Sequence, residues 1–236
     1  MAKYKPEVSC IIIALNEEKH IKLLLDSLKK QTYKNFEIIV ADFNSKDNTR
    51  KIAKKYGCAI VPGGKQSFAR NSGAKIARGK YLLFLDADSI LEEDFIKINL
   101  NSFKLSRAGV ASVPLRPLNG SVLDHFFFRI YNGWMRLIKY ISPHGTGACI
   151  LVKKNIFERV GGFDESILVA EDMDFLKRAA KYKFTILPFP ISTSVRRFQE
   201  RGRLTTALTL LLIGFHRFFY REVKKDIFDY NRKRLT

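Results

Sequence analysis

Cysteine is scarce in this chain of 236 residues: Cys10, Cys58 and Cys149 are odd in number and none stands in a Cys-x-x-Cys spacing. That argues against a disulfide framework, and since two of the three fall in apolar, strand-like runs they read as core thiols in a reducing compartment. Long apolar runs are missing as well. No stretch reaches the roughly 18 consecutive apolar residues of a membrane-spanning helix. The opening "MAKYKPEVSCIIIALNEE" carries basic residues and a short apolar run, but Glu17 and Glu18 follow at once and no small-residue cleavage site appears, so a secretory signal is not expected. Internal repeats, low-complexity tracts and Pro/Gly-rich linkers are absent, as are GxxxxGK[ST], a GxGxxG after a strand, HExxH and GxSxG. Acidic residues are in the minority: 23 Asp+Glu against 42 Lys+Arg leave a formal charge of +19. Such an excess calls for an anionic partner, whether nucleic acid, a phosphate-bearing substrate or an acidic membrane surface.

What is present is enough apolar material for a full core, 46% of the residues, consistent with one domain plus an appendage. The first half alternates in type. "VSCIIIAL" (8–15) is a β-branched run, and the following segment puts Ile21, Leu24, Leu25 and Leu28 at helical spacing. "FEIIVAD" is a second strand, "KDNTRKIAKKYG" a helix, "CAIVP" a short strand, "SFARNSGAKIARG" a helix and "KYLLFLD" a further strand. This order predicts an α/β fold with a mostly parallel sheet covered by helices on both faces and a ligand site at the carboxyl ends of the strands. Asp42 and Asp86 each close a strand, so carboxylates should line that rim.

Further along, "SVLDHFFFRIYNGWMRLIKYIS" (121–142) sets Leu123, Phe126, Phe127, Ile130, Trp134, Leu137, Ile138 and Ile141 on one helical stripe and Arg129, Asn132, Arg136 and Lys139 on the other side. "AEDMDFLKRAAKYK" reads as a helix with an acidic opening. From Arg201 the chain becomes basic, and Leu204, Leu208, Leu211, Leu212, Phe215, Phe218 and Phe219 repeat at helical spacing, with Arg217, Arg221, Lys224 and Lys225 among and after them. The expected division is a catalytic domain over 1–200 and a basic amphipathic extension over 201–236. That extension suits either the surface of an anionic bilayer or packing on protein.

The stretch "FLDADS" places Asp86 and Asp88 one residue apart at a strand end, where two hard oxygen donors can hold a divalent cation against a diphosphate. The local alternative is helix capping, since Ser89 and Glu92 have capping-box spacing. Several segments then resemble, in order, the inverting nucleotide-sugar glycosyltransferases of family 2, whose fold is called GT-A: "IIIALNEEKHI", "IIVADFNSKDNT", "SFARNSGA", "FLDADS", "GTGACILVKKNIFERVGGFDE" and "AEDMDF". The resemblance covers residues 8–187, and the ordered set is far more specific than any member.

The resemblance implies a nucleotide-diphosphate sugar donor with Mn2+ or Mg2+ held mainly by Asp88, Asp86 contacting the metal or the ribose, Asn16 and Glu17 meeting the nucleotide, and Asp42 accepting from its base. Arg70 would contact diphosphate or ribose, and Asp172, oriented by Glu171, would be the general base. Each has a plainer alternative: Asn16 and Glu17 as helix-start residues, Asp42 as a turn aspartate, Arg70 as a solvated charge, and Glu171 and Asp172 as an ordinary acidic first turn. Arg196 and Arg197 suit a leaving diphosphate or a basic loop beside a membrane. Phe43 departs from the acidic or small residue common in relatives, which bears on recognition around the base, and Ile90 stands where some relatives carry a metal-holding Gln, leaving the third metal ligand unassigned, with His144 a candidate. The acceptor would be a glycan or a lipid-linked molecule, the enzyme cytoplasmic and peripheral on the membrane. A sugar-phosphate nucleotidyltransferase would need a Gly-rich, Arg-Lys loop where "ALNEE" stands. A nucleic-acid-binding protein would interleave aromatics with Lys and Arg, whereas here they cluster on apolar stripes, so no nucleic acid is expected.

Overall fold

The computed structural model describes residues 5–140, 143, 145–203, 205, 206 and 209, and of Arg197 and Arg201 the backbone alone. His144, Ile141 and the stripe Leu204, Leu208, Leu211, Leu212, Phe215, Phe218 and Phe219 lie outside the described residues, and with them most of the 201–236 extension.

Strands β1 (Val8–Ala14), β2 (Phe36–Asp42), β3 (Ala59–Pro62) and β4 (Tyr81–Asp86) alternate with helices α1 (Glu18–Lys30), α2 (Thr49–Lys55) and α3 (Gln66–Ile76). After β5 (Ser89–Ile90) come α4 (Phe95–Ser106), β6 (Val110–Ser112), β7 (Leu115–Leu118), α5 (Val122–Ile138), β8 (Cys149–Lys153), α6 (Lys154–Arg159), α7 (Glu171–Ala179), β9 (Phe184–Ile186), β10 (Ile191–Ser194) and α8 (Arg196–Arg201). The main sheet has the order β3-β2-β1-β4-β8-β6-β9; β8 alone runs antiparallel to its neighbours. A second sheet, β5-β10-β7, stands beside it.

The β-branched runs form central strands because they are buried on both faces. Alternate residues of β1 feed two cores. Val8, Cys10 and Ile12 pack with Leu24, Leu25 and Leu28 of α1 and Leu100 and Phe103 of α4, while Ile11 packs with Ala69 and Ala74 of α3 and Phe175 and Leu176 of α7. Helix α3 lies close on the sheet: a Cβ on Gly73 would stand 2.4 Å from Ile11 Cγ2, so only glycine fits there. Cys10 and Cys149 are fully buried free thiols, and burial pushes the third, Cys58, up to about 11. Parallel register sets Asp42 opposite Ala14 and Asp86 opposite Ile13, so both carboxylates flank the carboxyl end of β1 on one rim.

Helix α5 departs from the ordinary surface pattern. Its expected apolar stripe exists, but it faces outward: Leu123, Phe126, Ile130, Trp134 and Leu137 are between 39% and 78% exposed. The buried side carries Asp124, Phe128 and Met135 instead. Asn132, expected on the outer polar face, turns inward and bonds the backbone N–H and carbonyl of Leu115 at 2.9 and 2.8 Å. Asp124 fixes the rotation. It accepts from Ser121 N at 2.8 Å in a capping box and from Arg203 Nε at 2.9 Å. Among the described residues no helix is long and apolar enough to cross a membrane.

Candidate active site

The β1–α1 and β2–α2 turns are stitched together at the rim. Ser45 is the knot: its Oγ donates to Asp42 Oδ2 at 2.5 Å and accepts from Asn16 N at 2.9 Å, and its own N–H donates to Asp42 Oδ1 at 3.1 Å. Asn16 takes φ of +51° and its Oδ1 accepts from Lys46 N at 2.8 Å, so it braces two turns and is not a helix cap. Asp42 is buried with Arg50 3.5 Å away, and a carboxylate with these partners still has lone pairs for another donor. Glu17, whose N–H is held by Thr49, pairs with His20 Nδ1 at 2.8 Å and with Arg196 Nη2 at 2.9 Å. The start of α8 is thereby drawn onto the same rim. Burial works to lower the Arg196 guanidinium, but its bond to Glu17 and the charges of Glu17 and Asp88 outweigh this and raise it.

The second cluster joins residues that are remote in sequence. Arg70 of α3, 2% exposed, donates through Nη1 to Glu171 Oε1 at 2.5 Å and through Nη2 to Asp86 Oδ1 and Gly147 O, each at 3.4 Å, with its guanidinium 5.2 Å from the Phe163 ring centroid. The alternative of a solvated helix charge therefore fails for Arg70. A buried fork bound to two carboxylates is suited to positioning them. Next to it, Asn71 exchanges two bonds of 2.9 Å with the backbone of Phe163, tying α3 to the turn that precedes α7.

Helix α7 starts abruptly. Ala170 adopts φ of +59°, uncommon for a residue with a Cβ, and Glu171 and Asp172 follow as the first helical residues. Asp172 Oδ1 accepts the Met173 N–H at 2.8 Å. Burial pushes the Asp172 carboxyl above its ordinary range; the Arg70 charge and the N–H groups of Met173 and Gly147 oppose this, while the Asp86 charge adds to it. Glu171 is also raised by burial, against the pull of Arg70 and with the repulsion of Asp172. The result is a proton-seeking carboxyl beside a fixed guanidinium, suited to general-base work. A Cβ on Gly147 would lie 2.7 Å from Arg70 Nη2 and 3.1 Å from Asp172 Oδ2, which explains the second glycine of "GTGA". Tyr131 of α5 closes the other side. Its hydroxyl donates to Gly145 O at 3.3 Å, and the Asp172 charge reinforces the rise that burial imposes on the phenol. Neither Tyr131 nor Gly147 was singled out from sequence, because neither role has a local pattern.

Asp88 lies half-buried in the turn between β4 and β5, its carbonyl accepting from Ser194 N at 3.2 Å. The capping alternative for this region fails. Ser89 is in a strand, and α4 begins only at Phe95 with Asp94 ahead of it. Among the described residues no three His, Cys, Asp or Glu groups assemble into a ready metal cage. Two neighbouring carboxylates nevertheless fit Mg2+ or Mn2+, which ordinarily take one or two protein carboxylates and complete their shell with water and substrate phosphates. The side chain of Arg197 and the whole of His144 lie outside the described residues.

A mostly parallel sheet with carboxylates on one rim, a short accessory sheet and an acidic helix start opposite Asp86 is the plan of a GT-A glycosyltransferase. The chain belongs to glycosyl transferase family 2, whose model matches residues 9–161; a second model, glycosyltransferase like family 2, matches residues 118–228. An uncharacterised glycosyltransferase of Rickettsia prowazekii is 29% identical over 193 residues, covering 72% of this chain; the chain spans 58% of that relative's length. The mannosyltransferase PcManGT from Pyrobaculum calidifontis, solved in complex with GDP-Man and Mn2+, superposes with a TM-score of 0.73 at 21% identity, over 96% of this chain and 68% of that one. TarS 1-349 of S. aureus in complex with UDP-GlcNAc gives 0.62 at 23% identity, over 80% and 58%.

Proposed function

We propose that this glycosyltransferase moves a sugar from a nucleotide-diphosphate sugar to an acceptor hydroxyl in a single inverting displacement, with Asp172 as the general base. The observation that carries the reading is the Arg70 bridge. One buried guanidinium binds Glu171, beside the base, and Asp86, at the donor rim, so the two halves of the site share a fixed frame. Asn16, Glu17 and Asp42 bind the nucleoside, and Arg196 and Arg197 are the cations assigned to the leaving diphosphate. Asp86 and Asp88 would hold a divalent cation, which when bound neutralises diphosphate charge.

In the transfer, Asp172 takes the acceptor O–H proton while the acceptor oxygen bonds the anomeric carbon from the face opposite the diphosphate. The bond from that carbon to the phosphate oxygen breaks, and the nucleoside diphosphate departs with its electron pair. Because an acceptor phosphate is already ionised near neutral pH, a base is useful chiefly to a hydroxyl acceptor. The neighbours solved with GDP-Man and with UDP-GlcNAc support a nucleotide-sugar donor. The test is Asp172→Asn, which keeps size and removes basicity. Donor binding by calorimetry should persist while turnover falls on the order of 10²-fold or more. A product retaining the donor's anomeric configuration would overturn the mechanism, and near-normal turnover of the variant would overturn the assignment.

A further inference from the structure

We infer that the outward face of α5 docks on an anionic lipid bilayer and that the acceptor reaches Asp172 from that side; only the second half rests on the transfer reading above. A helix of a water-soluble domain ordinarily turns its apolar stripe to the core. Here the core side is taken by Asp124, Phe128 and Met135 and anchored through the Asn132 bonds to Leu115, so the stripe has no inward rotation available. Residues 123–137 present it as a continuous band about 21 Å long at 1.5 Å per residue. Trp134 and the strongly exposed Tyr140 near its end are the aromatic types that favour the membrane–water boundary.

Charge selects the occupant. Arg129 and Arg136 are exposed along one flank of the band, and Lys139 lies over the Tyr140 ring, 4.6 Å from its centroid. Asp124, the one acid of α5, is buried beneath Arg203. Residues 210–236 carry seven Lys and Arg against three Asp and Glu, so as an occupant of this face that stretch would add charge of the same sign beside these arginines. A second copy docked face to face in the antiparallel sense would set Arg129 and Arg136 near their own counterparts. An anionic headgroup layer complements the flank and accepts the apolar band beneath it. The inner side of the same helix carries Tyr131, whose hydroxyl donates to Gly145 O in the loop whose Gly147 lies against Asp172. Bilayer and base therefore stand on opposite sides of one helix, whose own thickness is about 10 Å. A lipid-linked acceptor held at headgroup level has a short path to the base.

The experiment is flotation of the full chain with vesicles of phosphatidylcholine alone or mixed with phosphatidylglycerol, at low and high salt. Wild type should float with the anionic vesicles at low salt and be released at high salt. Replacing Arg129 and Arg136 by Gln should weaken partitioning roughly fivefold for each charge removed. Phe126→Glu combined with Ile130→Glu should abolish it with the circular dichroism spectrum unchanged. Failure of wild type to bind anionic vesicles, or equal flotation of the Phe126/Ile130 variant, overturns the docking surface. So does a wild-type dimer that this variant dissolves without altering flotation. Nucleotide-sugar binding without vesicles is measured in parallel: its loss in wild type with flotation intact overturns the transfer reading and leaves the docking surface standing.

Discussion

Arg70→Met keeps most of the side chain's length and removes its charge from a site where three carboxylates converge. Glu171 loses a 2.5 Å partner, Asp86 loses one at 3.4 Å, and Asp172 loses the nearest positive charge opposing its burial. Removing one member of a buried ion pair typically costs about 3–5 kcal/mol, because the remaining charge is left without a partner. In a chain of this size that corresponds to a drop in Tm of about 6 to 20 °C. The loss has a pH signature. Glu171 and Asp172 have folded-state pKa values raised by burial, and without Arg70 they rise further. A raised carboxyl favours folding below its unfolded pKa, and this advantage disappears as pH climbs through the folded pKa. The deficit of Arg70→Met relative to wild type should therefore be large near pH 8 and smaller near pH 5. Thermal denaturation at the two pH values measures it, with Arg70→Lys as the control that restores charge without the planar fork. A Tm deficit below about 2 °C near pH 8, or one that does not depend on pH, would refute the view of Arg70 as the counter-charge of this cluster.

Gly147→Ala should displace Arg70 or Asp172, which its Cβ would meet at 2.7 and 3.1 Å; kcat should fall up to about 10²-fold, with near-normal donor affinity by calorimetry. Asp88→Ala should abolish the increment in UDP or GDP affinity that Mn2+ provides, and an unchanged increment would remove Asp88 from the metal site. Turnover of wild type should rise with pH through an inflection above the ordinary aspartate value of about 4, because burial raises the Asp172 carboxyl; an inflection at or below that value would point to a different base.

The parts of this site that were legible in the sequence are those with local grammar. Asp42 and Asp86 were placed because an apolar run ending in aspartate puts that carboxylate at a sheet rim, and the register of β1 with β2 and β4 bears this out. The acidic opening of α7 was legible for the same reason. The Arg70–Glu171 bond was not, since it spans 101 positions and no helical or strand period relates its ends. Sequence alone offers phosphate or ribose as the partner of an arginine near such a rim; that Arg70 also bridges two carboxylates emerges only in the fold.

Helix α5 shows a different limit. Periodicity locates the apolar stripe to within a residue, but it carries no sign: the same pattern serves a stripe turned to the core and one turned to solvent. The sign is set by what the opposite side can bind. On α5 that side contains Asp124, whose capping box with Ser121 and ion pair with Arg203 satisfy a buried carboxylate, and Asn132, which bonds both backbone groups of Leu115. Turning the helix over would bury the stripe but strand these polar contacts, each costing about 1–3 kcal/mol when a buried group is left unpaired. It would also withdraw Tyr131 from Gly145 and from the neighbourhood of Asp172. The polar inner face thus holds α5 against the catalytic side, and an outward apolar band is the direct consequence.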